Sequence, residues 1–388
     1  MSGPRRLDAL PRYPMAGLAE RKRDALSRGV DVIDLGAGDA DLAPPPAASE
    51  ALARALEDPS NSRYPFQLGL PAFREAVASF MRDRFGVDLD PFAEILPLIG
   101  SKEGIAKLPF AVLDPGDVAI LPDPGYQAYV GGATFAGGEP WGIPLRPEND
   151  FLMPWADVPD EVVARTRLAF LNYPNNPTAA SAPDSWFAET VEFCRRNQIV
   201  LAHDHAYSEI AFDGYRPRSV LEFEGARDVA VEFHSMSKTY NMTGWRLGWV
   251  AGNAEVIARL SRVKTFMDTG VFKGVQAAGV AALESRGGWV EQNVEVFRRR
   301  RDAALEALRH AGFTPPTPRA TMYLWVPVPG DMLSLEFARR AFEDEGVVVV
   351  PGSGLGAGGE GFFRIALTVP AERLQQAAER LGRLIRPA

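Results

Sequence analysis

The sequence SMSKTYNMTGWRLGW at residues 235–249 places one lysine among groups that bind anions. Ser235 and Ser237 precede Lys238, and Arg246 follows it within the same stretch. Hydroxyls donate to phosphate oxygens, and a guanidinium pairs with phosphate through two hydrogen bonds. An amine beside such cations and shielded from water loses its proton more readily and becomes a nucleophile toward carbonyls. The stretch therefore predicts a phosphate site beside a lysine that forms a Schiff base, although a solvated loop lysine fits the same letters.

Apolar runs on both sides of this stretch predict the sheet that carries it. They alternate with helical segments such as 103–112 and 185–197. This alternation is typical of crossover connections in an α/β fold with a mainly parallel sheet. The predicted strands are 95–99, 118–121, 168–171, 199–203, 229–233 and 247–251.

The pattern changes near residue 285, which predicts a second, smaller α+β domain. A long charged helix over 289–311 is followed by strands near 323–326 and 362–367, and by a closing helix from residue 370. We therefore predict an N-terminal arm with part of the small domain at 1–45, a large domain at 46–284 and a small domain at 285–388.

The composition argues against several classes of function. The chain has 388 residues, a hydrophobic content of 46% and a formal net charge of −8. Its basic run at 298–301 resembles an exposed helix face, so we expect no nucleic-acid partner. One cysteine, Cys194, and four histidines predict no disulfide and no metal site, and they suit a reducing cytoplasm. Without a long apolar run or a secretory signal, the chain is expected to act away from membranes.

The segment after the first predicted strand offers a second group of phosphate donors. Gly100-Ser101-Lys102 leads directly into a helix, whose first backbone N–H groups and positive dipole end attract anions. A serine that merely caps the helix is the simpler interpretation. Combined with Ser235, Ser237 and Arg246, the segment completes one phosphate-binding cup.

Polar and aromatic residues follow three further strands, at the edge where parallel sheets bind ligands. Asp204 ends one strand and can pair with a protonated ring nitrogen, and Tyr207 follows three residues later. Asn176 can donate to an oxygen anion, and Tyr126 can stack on a flat ligand. A carboxylate that only caps a turn remains an alternative for Asp204. A flat phosphorylated pyridine with an aldehyde, pyridoxal 5′-phosphate (PLP), fits all of these groups together.

With these residues, the chain resembles class I/II aminotransferases of PLP fold type I and is most similar to the LL-diaminopimelate aminotransferase branch. The resemblance extends from about residue 32 to residue 367 and implies a large domain with a mainly parallel seven-stranded sheet beside a smaller α+β domain. The motifs that carry it are RYP at 63–65, GSKEG at 100–104, NNPT at 175–178, DHAY at 204–207, the lysine stretch at 235–246 and FRIALT at 363–368.

The resemblance implies a role for each candidate residue. Lys238 binds the cofactor aldehyde and moves the substrate proton, Asp204 keeps the ring nitrogen protonated, and Arg364 clamps the substrate carboxylate. The remaining cofactor contacts are Tyr207 and Asn176 at the phenolic oxygen, Tyr126 on the ring, and Ser101, Lys102, Ser235, Ser237 and Arg246 at the phosphate. Tyr64 is expected to reach the phosphate of a neighbouring subunit, which implies a homodimer. Asn176 and the Gly36 to Gly38 backbone are also expected to face the substrate.

Substrate choice depends on less specific residues. By resemblance the leading substrates are LL-diaminopimelate or N-succinyl-diaminopimelate, with glutamate and 2-oxoglutarate as co-substrates. The distal pocket is expected from 13–18, 265–272 and Tyr64. Phe266 lies where a polar pair is usual and favours a less polar substrate. Three further departures from the family pattern are Ala179, where glycine is usual, Ala40, where proline is usual, and His205, where a small residue or asparagine is usual.

Other functions fit parts of the same pattern. A PLP-dependent β-lyase would use the same lysine, aspartate and arginine, and only its products would distinguish it. A ligand-sensing regulator would need a DNA-binding segment, for which the chain before residue 30 has no room. A dinucleotide site at the glycine run 352–359 is disfavoured because that run precedes a strand and opens no helix.

Overall fold

The computed structural model describes residues 5–10, 17–66 and 68–385. The strands of these residues are β1 (Ile33–Asp34), β2 (Ile95–Leu98), β3 (Val118–Asp123), β4 (Glu139–Pro144), β5 (Thr166–Leu171), β6 (Val200–Asp204), β7 (Ala230–Ser235), β8 (Gly248–Gly252), β9 (Tyr323–Pro327), β10 (Val347–Val348), β11 (Val350–Pro351) and β12 (Phe362–Ala366).

The largest sheet confirms the predicted fold class. Its seven strands run in the order β2-β8-β7-β6-β5-β3-β4, and every neighbouring pair is parallel except the two that include β8. The inner strands are apolar along almost their whole length because helices cover both faces of the sheet. The edge strand β4 escaped the strand prediction because its sequence, EPWGIP, has no apolar run and its residues are largely exposed.

The helices of the described residues are α1 (Arg5–Asp8), α2 (Leu18–Ser27), α3 (Pro46–Glu57), α4 (Pro71–Phe85), α5 (Ser101–Val112), α6 (Gln127–Ala136), α7 (Asp160–Arg165), α8 (Asp184–Arg196), α9 (Ala226–Val229), α10 (Met236–Thr239), α11 (Ala254–Met267), α12 (Lys273–Glu284), α13 (Arg286–His310), α14 (Ser334–Glu343) and α15 (Ala371–Arg383). The four predicted helical segments correspond to α5, α8, α13 and α15 among these helices, to within a few residues. In α13 the backbone leaves the helical region at Gly287 and Gly288, so the regular helix begins where the sequence predicts it. Within the described residues, no helix is both long and apolar enough to cross a membrane.

Three hydrophobic clusters hold these elements together. Two of them pack on the opposite faces of the seven-stranded sheet. The third joins the small sheet β11-β12-β9 and the β1–β10 pair to α13, α14 and α15. It also takes in Tyr207, Ile210 and Phe212, which follow β6. The segment after β6 therefore lies between the large sheet and the C-terminal elements, and the division into three domain ranges stays a prediction.

Candidate active site

A cavity of about 740 Å³ lies at the carboxyl ends of β3, β5, β6 and β7. Almost every predicted site residue lines it, because parallel strands that end at one edge bring their following residues together. The predicted residues among its walls are Gly38, Ser101, Lys102, Tyr126, Asn176, Asp204, Tyr207, Ser235, Ser237, Lys238, Arg246 and Arg364. Tyr64 and Gly36 are the exceptions: the Tyr64 side chain is 69% exposed and does not face the cavity of its own chain, and the Gly36 carbonyl accepts from Arg364.

Asp204 is a buried carboxylate with one oxygen satisfied and the other free. Its Oδ2 accepts a 2.8 Å hydrogen bond from the Tyr129 hydroxyl, while Oδ1 has no partner among the described residues. Burial raises the pKa of Asp204 to about 6, and the hydrogen bond from Tyr129 only partly opposes this. The Asn172 amide fixes the backbone by donating to the Asp204 carbonyl at 2.6 Å. The carboxylate is therefore held in place with a free acceptor at a cavity wall.

Asn176 and Arg364 orient each other at the cavity wall. Arg364 Nη1 donates to Asn176 Oδ1, and Nη2 donates to the Gly36 carbonyl, both at 2.7 Å. Because the Asn176 oxygen accepts from the guanidinium, its amide nitrogen remains available as a donor. The backbone N–H of Asn176 donates to Asn172 Oδ1 at 2.6 Å, so the same loop supports Asn176 and Asp204.

Lys238 reaches across the cavity from α10 to the N-terminal segment. Its Nζ donates to the Gly38 carbonyl. Gly38 tolerates no side chain, because a Cβ there would lie 2.0 Å from the Tyr323 hydroxyl oxygen. The lysine and the predicted substrate loop therefore meet directly in the structure.

The predicted phosphate donors form a cup between α5 and α10. Gly100 precedes α5 with φ 72°, and a Cβ on it would lie 2.2 Å from Arg246 Nη2, so glycine lets the guanidinium approach the helix start. Ser235 Oγ accepts from the Ser237 N–H at 3.2 Å and caps α10. Lys102 Nζ lies 5.5 Å from the centroid of the Tyr126 ring. The cup thus presents a helix N-terminus, hydroxyls and two cations to one ligand.

The residues present fit PLP. The free Oδ1 of Asp204 is an orphaned buried acceptor of the kind that a protonated ring nitrogen satisfies, and the cup supplies donors for a phosphate. Tyr126 contributes an aromatic ring to the cavity wall between them. The chemistry of the donor set therefore matches the two charged ends of this cofactor.

The sequence did not single out three residues of the site. Tyr129, Asn172 and Tyr323 all line the cavity. Tyr129 lies one helical turn after Tyr126, a spacing that places two side chains on one face and could have revealed it. Tyr323 carried no such signal, because its contact with Tyr207 bridges 116 residues.

The departures from the family pattern have different outcomes. Ala179 has φ 57°, so the backbone keeps the left-handed turn that glycine favours. Phe266 is 85% exposed and lies outside the cavity walls of its own chain. His205, which follows Asp204, is buried, and burial holds its pKa well below the usual value. The part of the predicted distal pocket at 13–16 lies outside the described residues.

Comparison with known proteins places these observations in one family. The profile "Aminotransferase class I and II" matches residues 30–381. Curated relatives named LL-diaminopimelate aminotransferase include one from Desulforudis audaxviator, 50% identical over 97% of this chain and 96% of that protein, and one from Aquifex aeolicus, 46% identical over 98% of each. A solved structure described as a probable N-succinyldiaminopimelate aminotransferase, from Thermus thermophilus, is 40% identical with a TM-score of 0.91 over 96% of this chain and 100% of that one. The chain belongs to the class I and II aminotransferases and is a PLP-dependent aminotransferase.

Proposed function

We propose that this aminotransferase acts on LL-diaminopimelate or N-succinyl-diaminopimelate, with glutamate and 2-oxoglutarate as the co-substrate pair. The names of the relatives from Desulforudis audaxviator and Thermus thermophilus support this choice of substrate. The observation that carries the proposed site is the meeting of Lys238, the free oxygen of Asp204 and the phosphate cup in one cavity.

Four residues of the cavity are proposed to act on the cofactor and the substrate proton. Bound PLP supplies an electron sink for the electrons released at the substrate α-carbon. Asp204 Oδ1 holds a proton on the cofactor ring nitrogen, and Tyr207 and Asn176 donate to its phenolic oxygen. Lys238 Nζ carries the proton between the α-carbon and the cofactor.

Arg364 is proposed to bind the substrate α-carboxylate. Among the described residues its guanidinium is bonded only to neutral groups, the Asn176 amide and the Gly36 carbonyl, and its Nε has no partner. A buried guanidinium without a carboxylate has an unmet preference for an anion. A substrate carboxylate satisfies it through two parallel hydrogen bonds.

We also propose a homodimer in which Tyr64 reaches the phosphate of the neighbouring subunit. Tyr64, Phe66 and Phe266 are exposed aromatic side chains, although monomeric surfaces seldom carry many of these close together. The rings of Tyr64 and Phe66 lie 6.3 Å apart, and their segment contacts α12, which follows Phe266 in the chain, since Lys273 donates to the Ser60 carbonyl at 3.1 Å and Gln276 accepts from the Leu70 N–H at 2.7 Å. A second copy would cover these side chains and place Tyr64 in its cavity.

The enzyme is proposed to act in the cytoplasm. Amino-acid biosynthesis is the role that the named substrates suggest, and the buried Cys194 thiol is typical of a reducing compartment.

The first experiment is the visible absorption spectrum of the cofactor-loaded enzyme before and after addition of L-glutamate, LL-diaminopimelate or N-succinyl-diaminopimelate. We expect the band of the lysine-bound cofactor to disappear with each true amino donor and to return with 2-oxoglutarate. Lys238→Ala should abolish turnover while retaining cofactor in the cup. A band that none of these amino acids changes would overturn the substrate proposal.

The dimer is tested by mixing two defective variants. Lys238→Ala removes the lysine and Tyr64→Ala removes the residue donated to the neighbour, so a mixed dimer has one intact site and one site with both defects. If both variants are inactive alone, random exchange should restore about a quarter of wild-type activity. A monomer in sedimentation measurements, or no recovery after exchange, would contradict the shared site.

A further inference from the structure

Tyr323 contacts both halves of the proposed site, yet no sequence motif singled it out. It opens β9, is buried and lines the cavity. Its hydroxyl accepts a 3.1 Å hydrogen bond from the Tyr207 hydroxyl, and the two rings meet edge to face at 5.6 Å. On its other side, Arg364 Cζ lies 4.3 Å from the ring centroid. One side chain thus joins the proposed cofactor contact Tyr207 to the proposed carboxylate clamp Arg364.

The backbone before Tyr323 is held in an unusual conformation that fixes the ring. Thr321 has φ 76°, which is strained for a β-branched residue and persists only where the surroundings enforce it. Its N–H donates to the Ile210 carbonyl at 2.9 Å, and its hydroxyl accepts from the Tyr323 N–H at 3.2 Å. Because Ile210 follows Tyr207 by one turn, the two tyrosines are tied together through the backbone.

The Tyr323 hydroxyl also lies against the Gly38 backbone. A Cβ at Gly38 would come within 2.0 Å of that oxygen, and the Gly38 carbonyl accepts from Lys238. The hydroxyl is therefore enclosed by Tyr207 and by the segment that contacts the lysine. Such enclosure leaves it few orientations in which to donate or accept.

The surroundings of the two tyrosines shift their pKa values in opposite directions. Burial raises the pKa of Tyr207 well above its usual value. Burial opposes ionisation of Tyr323 as well, but the charges of Arg364 and Lys238 outweigh it and lower the pKa of Tyr323. The Tyr323 hydroxyl is thus the more acidic of the two, which makes it the better donor once the Tyr207 hydroxyl turns to another acceptor.

We propose that Tyr323 is a positioning residue with two separable functions. Its hydroxyl orients Tyr207 toward the phenolic oxygen of the cofactor, and its ring supports Arg364 in the position that clamps the substrate carboxylate. When Tyr207 donates to the cofactor, Tyr323 donates to Tyr207 in turn, and each hydrogen bond of such a chain strengthens the next. The inference rests on the proposed roles of Tyr207 and Arg364.

Tyr323→Phe tests the hydroxyl alone, because it keeps the ring under Arg364. The readout is the pH at which the visible band of the bound cofactor changes. Tyr323→Phe weakens the hydrogen bond that the phenolic oxygen of the cofactor receives from Tyr207. The negative charge on that oxygen is then less stabilised, so the bound cofactor loses its proton at a higher pH, and the midpoint should rise by roughly half to one pH unit. The KM for the amino donor should stay within about twofold of wild type, since the contact between the ring and the guanidinium remains.

Tyr323→Leu removes the ring as well and should add a separate defect. Loss of the aromatic support for Arg364 should raise the KM for the amino donor by about tenfold, with the same shift of the band midpoint as in the phenylalanine variant. If the leucine variant does not fold, the phenylalanine variant still decides the hydroxyl function. Tyr240→Phe is the matched control, because Tyr240 is a buried tyrosine outside the cavity walls.

Two results would overturn the inference. An unchanged midpoint in Tyr323→Phe would remove the hydroxyl function, and equal increases of KM in both variants would reduce Tyr323 to general packing. Both comparisons require a wild-type enzyme that shows the band and transaminates. A wild type without the band would refute the proposed function itself, so the two failures are distinguishable.

Discussion

Two carboxylates are buried on neighbouring strands of the large sheet, and their surroundings differ. Glu232 on β7 accepts four hydrogen bonds, from the Ser219 hydroxyl, the Val220 N–H and the rings of His203 and His234, at 2.7 to 2.9 Å. Asp204 at the end of β6 accepts from Tyr129 on one oxygen and leaves the other free among the described residues. Both carboxylates are buried, so their different partners must account for the difference in their charge.

The two pKa values accordingly move in opposite directions. Burial opposes the charge of Glu232, yet the surrounding histidines and their hydrogen bonds hold its pKa well below the usual value. Burial raises the pKa of Asp204 to about 6 because too few donors face it. A buried carboxylate whose lone pairs all accept hydrogen bonds has a structural role. A buried carboxylate with a free oxygen at a cavity wall can bind a cationic group of a ligand.

The histidines around Glu232 also explain why this cluster is structural. His203 Nδ1 lies 2.9 Å from Glu232 Oε2, and its Nε2 lies 2.9 Å from the Tyr173 carbonyl oxygen, so both ring nitrogens lie within hydrogen-bond distance of oxygen atoms. His205 Nδ1 donates to the same carbonyl at 3.1 Å. His203, His205 and Glu232 bring potential metal-ligand atoms within 4.8 Å of one another, but these hydrogen bonds already use most of the donors and acceptors. The absence of a metal site stays a prediction.

The largest expected effect is on the satisfied carboxylate. Glu232→Gln removes a buried charge that accepts four hydrogen bonds and turns an amide NH₂ toward some of the same donors, so the free energy of unfolding should fall by about 3–5 kcal/mol at neutral pH. Urea denaturation of the cofactor-loaded enzyme measures it. A loss below about 1 kcal/mol would mean that Glu232 is not a charged structural partner and would remove the contrast with Asp204.

The opposite change is expected at the free carboxylate. In the cofactor-free protein, an Asp204 pKa raised from 3.8 to about 6 means that folding favours the protonated form. That stability is present below the unfolded pKa and is lost as the pH rises through about 6, a cost of about 3 kcal/mol. Asp204→Asn should therefore raise the free energy of unfolding by up to about 3 kcal/mol at pH 8 and by little at pH 4, while it strongly reduces transamination.

The difference in the free energy of unfolding between Asp204→Asn and wild type separates the pH dependence of Asp204 from that of His205, which has the opposite sign. The depressed pKa of His205 makes the native protein lose stability as the pH falls below the unfolded histidine value near 6.5. This contribution is the same in Asp204→Asn and cancels in the difference between the two proteins. A difference that does not depend on pH would contradict the raised pKa of Asp204.

Tyr129→Phe sharpens the contrast by removing the donor that Asp204 has. The hydrogen bond to a charged acceptor should contribute about 1.5–3 kcal/mol at pH 8, and its loss should move the pKa of Asp204 further upward. The matched control is Tyr173→Phe, whose hydroxyl donates to the neutral Phe151 carbonyl at 2.9 Å and should contribute about 1 kcal/mol at every pH. Equal losses in the two variants at pH 8 and pH 4 would show that Tyr129 does not act on a charge.

The sequence predicted the residues of the candidate site more fully than the buried residues that hold them in place. Asp204, Lys238 and Arg246 follow apolar strands in one chain segment each, so local patterns and family motifs identify them. Glu232 was hidden because it lies within an apolar strand, and only the pairing of β6 with β7 brings His203 opposite it. Contacts between segments distant in sequence have no period that a single chain reveals.

The same limit applies to the fold. The inner strands were predicted because burial on both faces demands continuous apolar runs. The edge strand β4 was not, since its exposed residues carry no such demand and its pairing with β3 alone defines it. The role of Tyr64 depends on a second chain and stays a prediction.

The smallest expected change in the free energy of unfolding is in the loop after β5, which contacts the surroundings of both carboxylates. In the loop at 172–179, the Asn172 amide donates to the Asp204 carbonyl, and the Tyr173 carbonyl accepts from the rings of His203 and His205. Ala179 lies at the end of this loop with φ 57°. Ala179→Gly relieves the left-handed strain but loosens the unfolded chain, so a net gain of about 0.5–1 kcal/mol is expected. Gly86→Ala is the converse control, because Gly86 has φ 71° with open space around it and should lose a similar amount. Since neither substitution alters a charge, both effects must be equal at pH 4 and pH 8, and a pH-dependent gain in Ala179→Gly would show that the loop controls the ionisation of Asp204.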